Sequence, residues 1–388
     1  MPIAPGSVPS TRILALDWAR GVVMVLMTVD HASMAFYQSR IVVDAPYLYH
    51  PGMPLPAVPF FLRWITYVCA PMFFVLSGTS LALTLAKRKR AKAPPWKLDQ
   101  YLITRGAILI ALDAVWMSLA FETTPGDTWI QVLGTMGVLM ILMVPLRRIP
   151  ASWLLGAVAV LVVALEWLGA RIDPDSNAAS VLFLGGTFSG RSIFDGTRSL
   201  LMNYPLAPWL CFFVLGWCFG GFVSRWDATK QGLGTILRVT LGVAAGGLAG
   251  FLVVRGMNGY GNAGELRDGD GLIQWLNVSS EPPSLSHMAL TLGLIGGILA
   301  IAFHGEHARW FAGRLARWLI VFGQSALFFY LLHIHLLVYA ARALGLEAAC
   351  GLAVTLVAMA ATLLALNPLC ARYHAYRVAH PRSWTRFF

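Results

Sequence analysis

The chain has 388 residues, 57% of them hydrophobic and only 12% charged, with a mean hydropathy of +0.67. Soluble domains carry about twice that share of charge, so the composition excludes an ordinary soluble domain and predicts an all-α, polytopic membrane protein. The net charge of +11 needs no nucleic acid to explain it, because it sorts by side of the membrane.

Ten spans are predicted in chain order, near 13–36, 60–85, 101–120, 130–147, 152–170, 207–224, 237–254, 287–303, 317–339 and 351–367. With both ends inside, eighteen Lys and Arg fall on the inner side and seven on the outer, while acidic residues run the other way. The positive-inside rule therefore predicts N-in, C-in. Residues 1–12 read as a cytoplasmic tail, 13–367 as the membrane domain and 368–388 as a basic cytoplasmic tail. The first apolar run is too long and too charged for a cleavable signal. The five cysteines show no CxxC spacing and predict neither a disulfide framework nor a zinc site. Gly216–Gly220 and the row Gly242, Gly246, Gly250 read as helix contacts.

The first span carries Asp17, Arg20, Asp30 and His31. At about 100° per residue, His31 lies roughly 20° from Arg20, three turns and about 16 Å further along the axis. Asp17, Met24, Met27, Met34 and Ala35 fall on the same stripe, with Asp30 at its edge; Trp18, Val22, Val25 and Val29 form a face suited to lipid. Ionisable groups in a membrane usually face a bundle interior or an aqueous cavity, so this stripe should line one.

The second span opens with Arg63 and Trp64 near the outer face, where Arg63 can pair with Asp30. Glu166 lies near the outer end of the fifth span. The ninth holds His333 and His335 on opposite sides, with Tyr330 beside His333. A histidine near an aspartate suits proton removal from an amine or hydroxyl, which makes His31, Asp30 and His333 the candidate catalytic groups. His50, in the Tyr47–Pro56 loop, is a candidate cap on the cavity. Two histidines at i and i+2 of a helix cannot share a metal, and none is predicted. Near the inner face, Arg20, Arg105 and Arg238 suit a phosphate-bearing ligand; Lys87–Arg90 reads first as a topology signal. The outer connections 171–206 and 255–286 are expected to fold over the outer mouth.

The string Leu16-Asp17-Trp18-Ala19-Arg20-Gly21 with Met27-Thr28-Val29-Asp30-His31 is similar to the opening of bacterial membrane proteins related to the heparan-α-glucosaminide N-acetyltransferase catalytic domain. The resemblance continues through Arg63-Trp64-Ile65-Thr66, Cys69-Ala70-Pro71, Ser77-Gly78-Thr79, Thr104-Arg105-Gly106 and Gln131-Val132-Leu133-Gly134. It extends to Tyr204-Pro205-Leu206-Ala207-Pro208-Trp209, Asn277-Val278-Ser279, Pro282-Pro283-Ser284 and Phe328-Phe329-Tyr330-Leu331-Leu332-His333. It implies a transmembrane acyltransferase of the bacterial inner membrane. Such an enzyme takes an acyl group from cytoplasmic acetyl-CoA or another acyl-CoA and passes it to an amine or hydroxyl of a sugar on the far side. It also implies a catalytic histidine at the outer mouth. In the lysosomal relative that histidine follows the matching helix, whereas His31 lies within the helix, so His31 takes the role by function and His50 is the fallback. Arg63, Trp64, Tyr330 and His50 are then the acceptor-side residues. A transporter or flippase and a non-catalytic family member are the alternatives; a homodimer is left open.

Overall fold

The computed structural model describes residues 13–45, 48–121, 128–172, 200–226, 230–380 and 383. Its helices are α1 (Leu14–Phe36), α2 (Ala57–Trp64), α3 (Cys69–Arg90), α4 (Pro95–Ala111), α5 (Ser118–Phe121), α6 (Val132–Leu146) and α7 (Ala151–Gly169), followed by α8 (Leu206–Trp226) and α9 (Lys230–Met257). The set closes with α10 (Leu272–Leu276), α11 (Leu285–His307), α12 (Arg314–Gln324), α13 (Ala326–Leu344) and α14 (Leu352–Ala379). Two three-residue strands, β1 (Thr128–Ile130) and β2 (Leu200–Met202), pair in parallel.

Among the described residues, eight helical segments are long and apolar enough to cross a membrane. The protein is therefore a multi-pass, all-helical membrane protein. The other two expected spans fall on α1, which is rich in charge, and on α6, which has only 15 residues. Large apolar side chains such as Trp153, Val160, Leu252, Val357 and Leu364 are exposed on α7, α9 and α14. That coat is stable only against lipid.

Helix α1 is the axis of the bundle. It packs against α12 most extensively, then α13, α14, α11 and α3. No residue of α1 is exposed; of the expected lipid face of Trp18, Val22, Val25 and Val29, all are half-buried, Trp18 and Val25 pack on the core, and Trp18 stacks on Phe311. Glu306 of α11 accepts from the backbone N–H groups of Leu14 and Ala15 at 3.0 and 2.9 Å. A carboxylate there satisfies two of the four orphan donors at a helix start and complements its dipole.

Two expected spans are interrupted. The second splits at 65–68, where tight turns run from Arg63, Trp64 and Thr66 to Thr66, Tyr67 and Cys69. Pro71 sits in the first turn of α3, where a missing N–H costs little. The ninth breaks at Ser325, whose hydroxyl donates to the Cys370 carbonyl at 3.0 Å. Helix α4 passes into a π-turn, Leu112–Met117. There the Asp113 carboxylate accepts from the Gln131 and Gly134 N–H groups, both at 2.6 Å, and so caps α6. The last helix continues to Ala379, beyond the expected end at 367.

Close helix approach is made by glycines. Gly21 faces the Leu319 carbonyl, Gly216 the Val75 carbonyl and Gly220 the Thr79 carbonyl. The row Gly242, Gly246, Gly250 is corrected in part: Gly250 faces Ala289 of α11, but Gly242 and Gly246 face open space, and the close contact runs through Gly247, one position round the helix, against Gly293. Gly216→Ala is therefore expected to destabilise the protein by about 1–3 kcal/mol, since the new methyl overlaps backbone. Gly221→Ala, with nothing near it, should be neutral or stabilising by up to about 1 kcal/mol. Unfolding midpoints in mild detergent check the contrast.

Candidate active site

The stripe on α1 opens onto two cavities. The larger, about 820 Å³, lies between α1, α3, α4, α6 and the α12–α13 junction and is lined by Arg20, Arg88, Lys97, Arg105 and Arg377, with Ser77, Ser80 and Tyr101. Arg20 donates to Asp17 at 2.8 Å and to the Ser80 hydroxyl, which fixes its guanidinium at the wall. Arg88 stacks on the Tyr101 ring at 3.8 Å. The smaller cavity, about 80 Å³, is lined by His31, Asp30, Arg63, Tyr67, Glu281, His287 and Tyr330, among others. Phe73 lines both, and its ring meets that of Tyr330 at 5.9 Å.

The ring of His31 is held by His333, not by Asp30. His31 Nδ1 lies 2.7 Å from His333 Nε2. On the far side, His333 Nδ1 lies 3.1 and 2.9 Å from the carbonyl oxygens of Phe329 and Tyr330. Carbonyls only accept, so Nδ1 of His333 carries the hydrogen and its Nε2 must accept. His31 then donates through Nδ1, which leaves Nε2 of His31 with its lone pair free. This is the tautomer a general base requires. The break at Ser325 restarts α13 one turn before Phe329, in the register that brings these carbonyls under His333.

Asp30 serves a different network. Its carboxylate pairs with Arg40 and Arg63, each at 2.9 Å. Arg63 spans to Asp44 as well, and Asp44 accepts from the Ser280 hydroxyl at 2.8 Å and, through its carbonyl, from the Ser280 and Glu281 N–H groups. The 37–45 and 277–284 loops are thereby tied to α1 and α2 around the small cavity. Burial alone would raise the Asp44 pKa, but Arg63 and the Ser280 hydroxyl outweigh it and hold it below the carboxylate range. Glu281 goes the other way, pushed up to about 7 by burial and by the neighbouring Asp44 charge.

The structure thus gathers His31, Asp30, His333, Arg63 and Tyr330 at one end of the stripe, and Arg20 and Arg105 at the other. It does not bring in the rest. Arg238 is exposed on α9 and donates to Gly234 of its own helix at 3.3 Å. His50 is exposed, and Trp64 packs in a satellite core beside Phe61; neither lines either of these two cavities. His335 stacks on Trp116 and Tyr339, away from both. Much of the 171–206 connection lies outside the described residues. In the 255–286 connection, a buried Arg255 organises the loop through Asn262, Glu265, Gln274 and Trp275, and Glu166 accepts from the Gly261 N–H at 2.6 Å.

Residues not anticipated include Arg88, Lys97 and Arg377 at the large cavity and Tyr67, Trp209, Glu281 and His287 at the small one. His287 had a legible signal. Ser284 caps α11 by accepting from the His287 N–H at 3.1 Å, and the Ser after Pro282-Pro283 marks that helix start.

Set beside known families, residues 12–239 match the one described as heparan-alpha-glucosaminide N-acetyltransferase, catalytic. The chain belongs to that family. No match was found among curated proteins. Membership gives the coarse activity, a transmembrane acetyltransferase, and the matched segment includes α1, the Arg63 break and the basic wall of α3–α4, although His287 and His333 lie beyond it.

Proposed function

We propose that the protein moves an acyl group, acetyl in the first place, from acyl-CoA in the large cavity to an amine or hydroxyl of a sugar entering the small one. The observation that carries this reading is the meeting of a five-cation cavity and a histidine pocket at a single residue, Phe73. The donor set fits CoA: guanidinium forks match phosphates, and a volume near 820 Å³ suits a ligand of that size. The positive-inside bias supports both ends in the cytoplasm of a bacterial inner membrane, with the basic cavity facing inward.

His31 Nε2 takes the proton from the acceptor as its nitrogen or oxygen attacks the thioester carbonyl. A C–N or C–O bond forms, the C–S bond breaks, and the proton returns from His31 to the CoA sulfur. Each dipole in the chain from His31 through His333 to the Phe329 and Tyr330 carbonyls points its negative end at the transient imidazolium. No metal enters this scheme.

The interrupted helices at 65–68 and Ser325 also occur in transporters, and one experiment separates the readings. In proteoliposomes, acetyl-labelled acetyl-CoA on one side should label glucosamine on the other, with CoA left behind. Intact CoA or sugar crossing unmodified would overturn the proposal. Arg105→Ala should raise the KM for acetyl-CoA about tenfold, the loss of roughly one charged hydrogen bond, and change kcat little; steady-state kinetics check this.

A further inference from the structure

The small cavity has a second wall that the His31 chemistry does not use. Tyr67 stands in the 65–68 break, Trp209 in the first turn of α8 and His287 in the first turn of α11, and all three line the cavity. Their exposures are 5%, 1% and 0%. Yet, among the described residues, Tyr67 Oη and Trp209 Nε1 have no hydrogen-bond partner, and the His287 ring has none beyond the Tyr67 backbone. Buried polar atoms are rarely left so, and three elements bringing three of them to one cavity marks a surface made for a ligand. Packing alone does not require them. Phenylalanine at 67 would keep the ring contact with His287 and bring no orphaned hydroxyl.

We infer that Tyr67, Trp209 and His287 form the subsite that holds a hydroxyl of the acceptor next to the group being acylated. The chemistry of the wall selects the class. An indole N–H only donates, a phenol donates or accepts, and a neutral imidazole does one of each. Such a set recognises uncharged oxygen atoms. An ammonium finds too few acceptors on it, and an anion finds no cation to spare, since Arg63 and Arg40 are already paired with Asp30 and Asp44. The acceptor is therefore a vicinal diol or amino alcohol whose reacting group faces His31 while its neighbouring hydroxyl faces this wall. The identity of the acceptor rests on the acyltransferase reading; the wall itself does not.

Two ring amines that differ by one hydroxyl test it: trans-2-aminocyclohexanol and cyclohexylamine. A site built to bond a hydroxyl rejects the analogue that lacks it. Acetyl transfer by the full chain should favour the amino alcohol by about tenfold or more in kcat/KM, and Tyr67→Phe and His287→Leu should each bring that ratio towards one. Damage to the fold lowers both rates alike and leaves the ratio intact, so a ratio unchanged in both variants overturns the subsite. If the unaltered protein acetylates neither amine, the glucosamine experiment decides the acyltransferase reading, and binding decides for the wall. Selective thermal stabilisation by the amino alcohol that is lost in Tyr67→Phe supports it, and equal or no stabilisation by the two amines overturns it.

Discussion

Replacing His31 with alanine is expected to lower kcat for acyl transfer by about 10²–10⁴-fold, the usual worth of a positioned general base. The KM for acyl-CoA should hold, because His31 does not line the large cavity and Arg20, the cation that α1 gives to it, lies about three helical turns away. His31→Gln should be equally slow, since it restores size but not basicity. His333→Ala gives a diagnostic intermediate. It removes the acceptor for the His31 Nδ1 hydrogen, so the ring loses both its orientation and its tautomer, and kcat should fall by a factor nearer the lower end of that range. Stopped-time assays with labelled acetyl-CoA measure all three. His31→Ala turning over at the native rate would remove the mechanism, leaving the family assignment in place.

The second large effect is on stability. Arg63 is the one side chain that bridges Asp30 and Asp44. Removing one partner of a buried ion pair strands the other, at about 3–5 kcal/mol. Asp30 keeps Arg40, so the burden falls on Asp44, whose carboxylate retains the Ser280 hydroxyl and the more distant Arg40 charge among the described residues. Arg63→Ala should therefore unfold at a markedly lower temperature in detergent. Adding Asp44→Asn should recover much of the loss, because the stranded charge is then gone. Additive effects of the two substitutions would show that the pair is not the source.

The helical stripe of α1 was legible because period and charge are local properties of 23 residues. Arg20 and His31 line two separate cavities that share Phe73, and their distance along the helix follows from its rise. What surrounds α1 was not legible. Trp18 and the three valines look like a lipid face because any apolar residue suits lipid and core equally; only the packing of α12–α14 decides. The partner of His31 was hidden for a related reason. Asp30 is adjacent in sequence, but adjacent helical side chains diverge by about 100°, and His333 arrives from 302 residues away. Arg88 was concealed inside Lys87–Arg90, where a topology signal and a ligand-facing cation look identical. Arg238 erred the other way, since a basic residue near a helix end says nothing about which face it occupies.

Phe73 carries a consequence for bioenergetics. Were the two cavities filled with water from opposite compartments, as the proposed orientation requires, most of the transmembrane voltage would drop across the thin layer of aromatic rings around Phe73 and Tyr330. Moving one elementary charge through 100 mV is worth about 2.3 kcal/mol, and a proton released at His31 sits within a few side chains of that drop. The proposed transfer has to admit a thioester where the protein insulates against a proton, and the bulky, uncharged ring of Phe73 stands at that boundary.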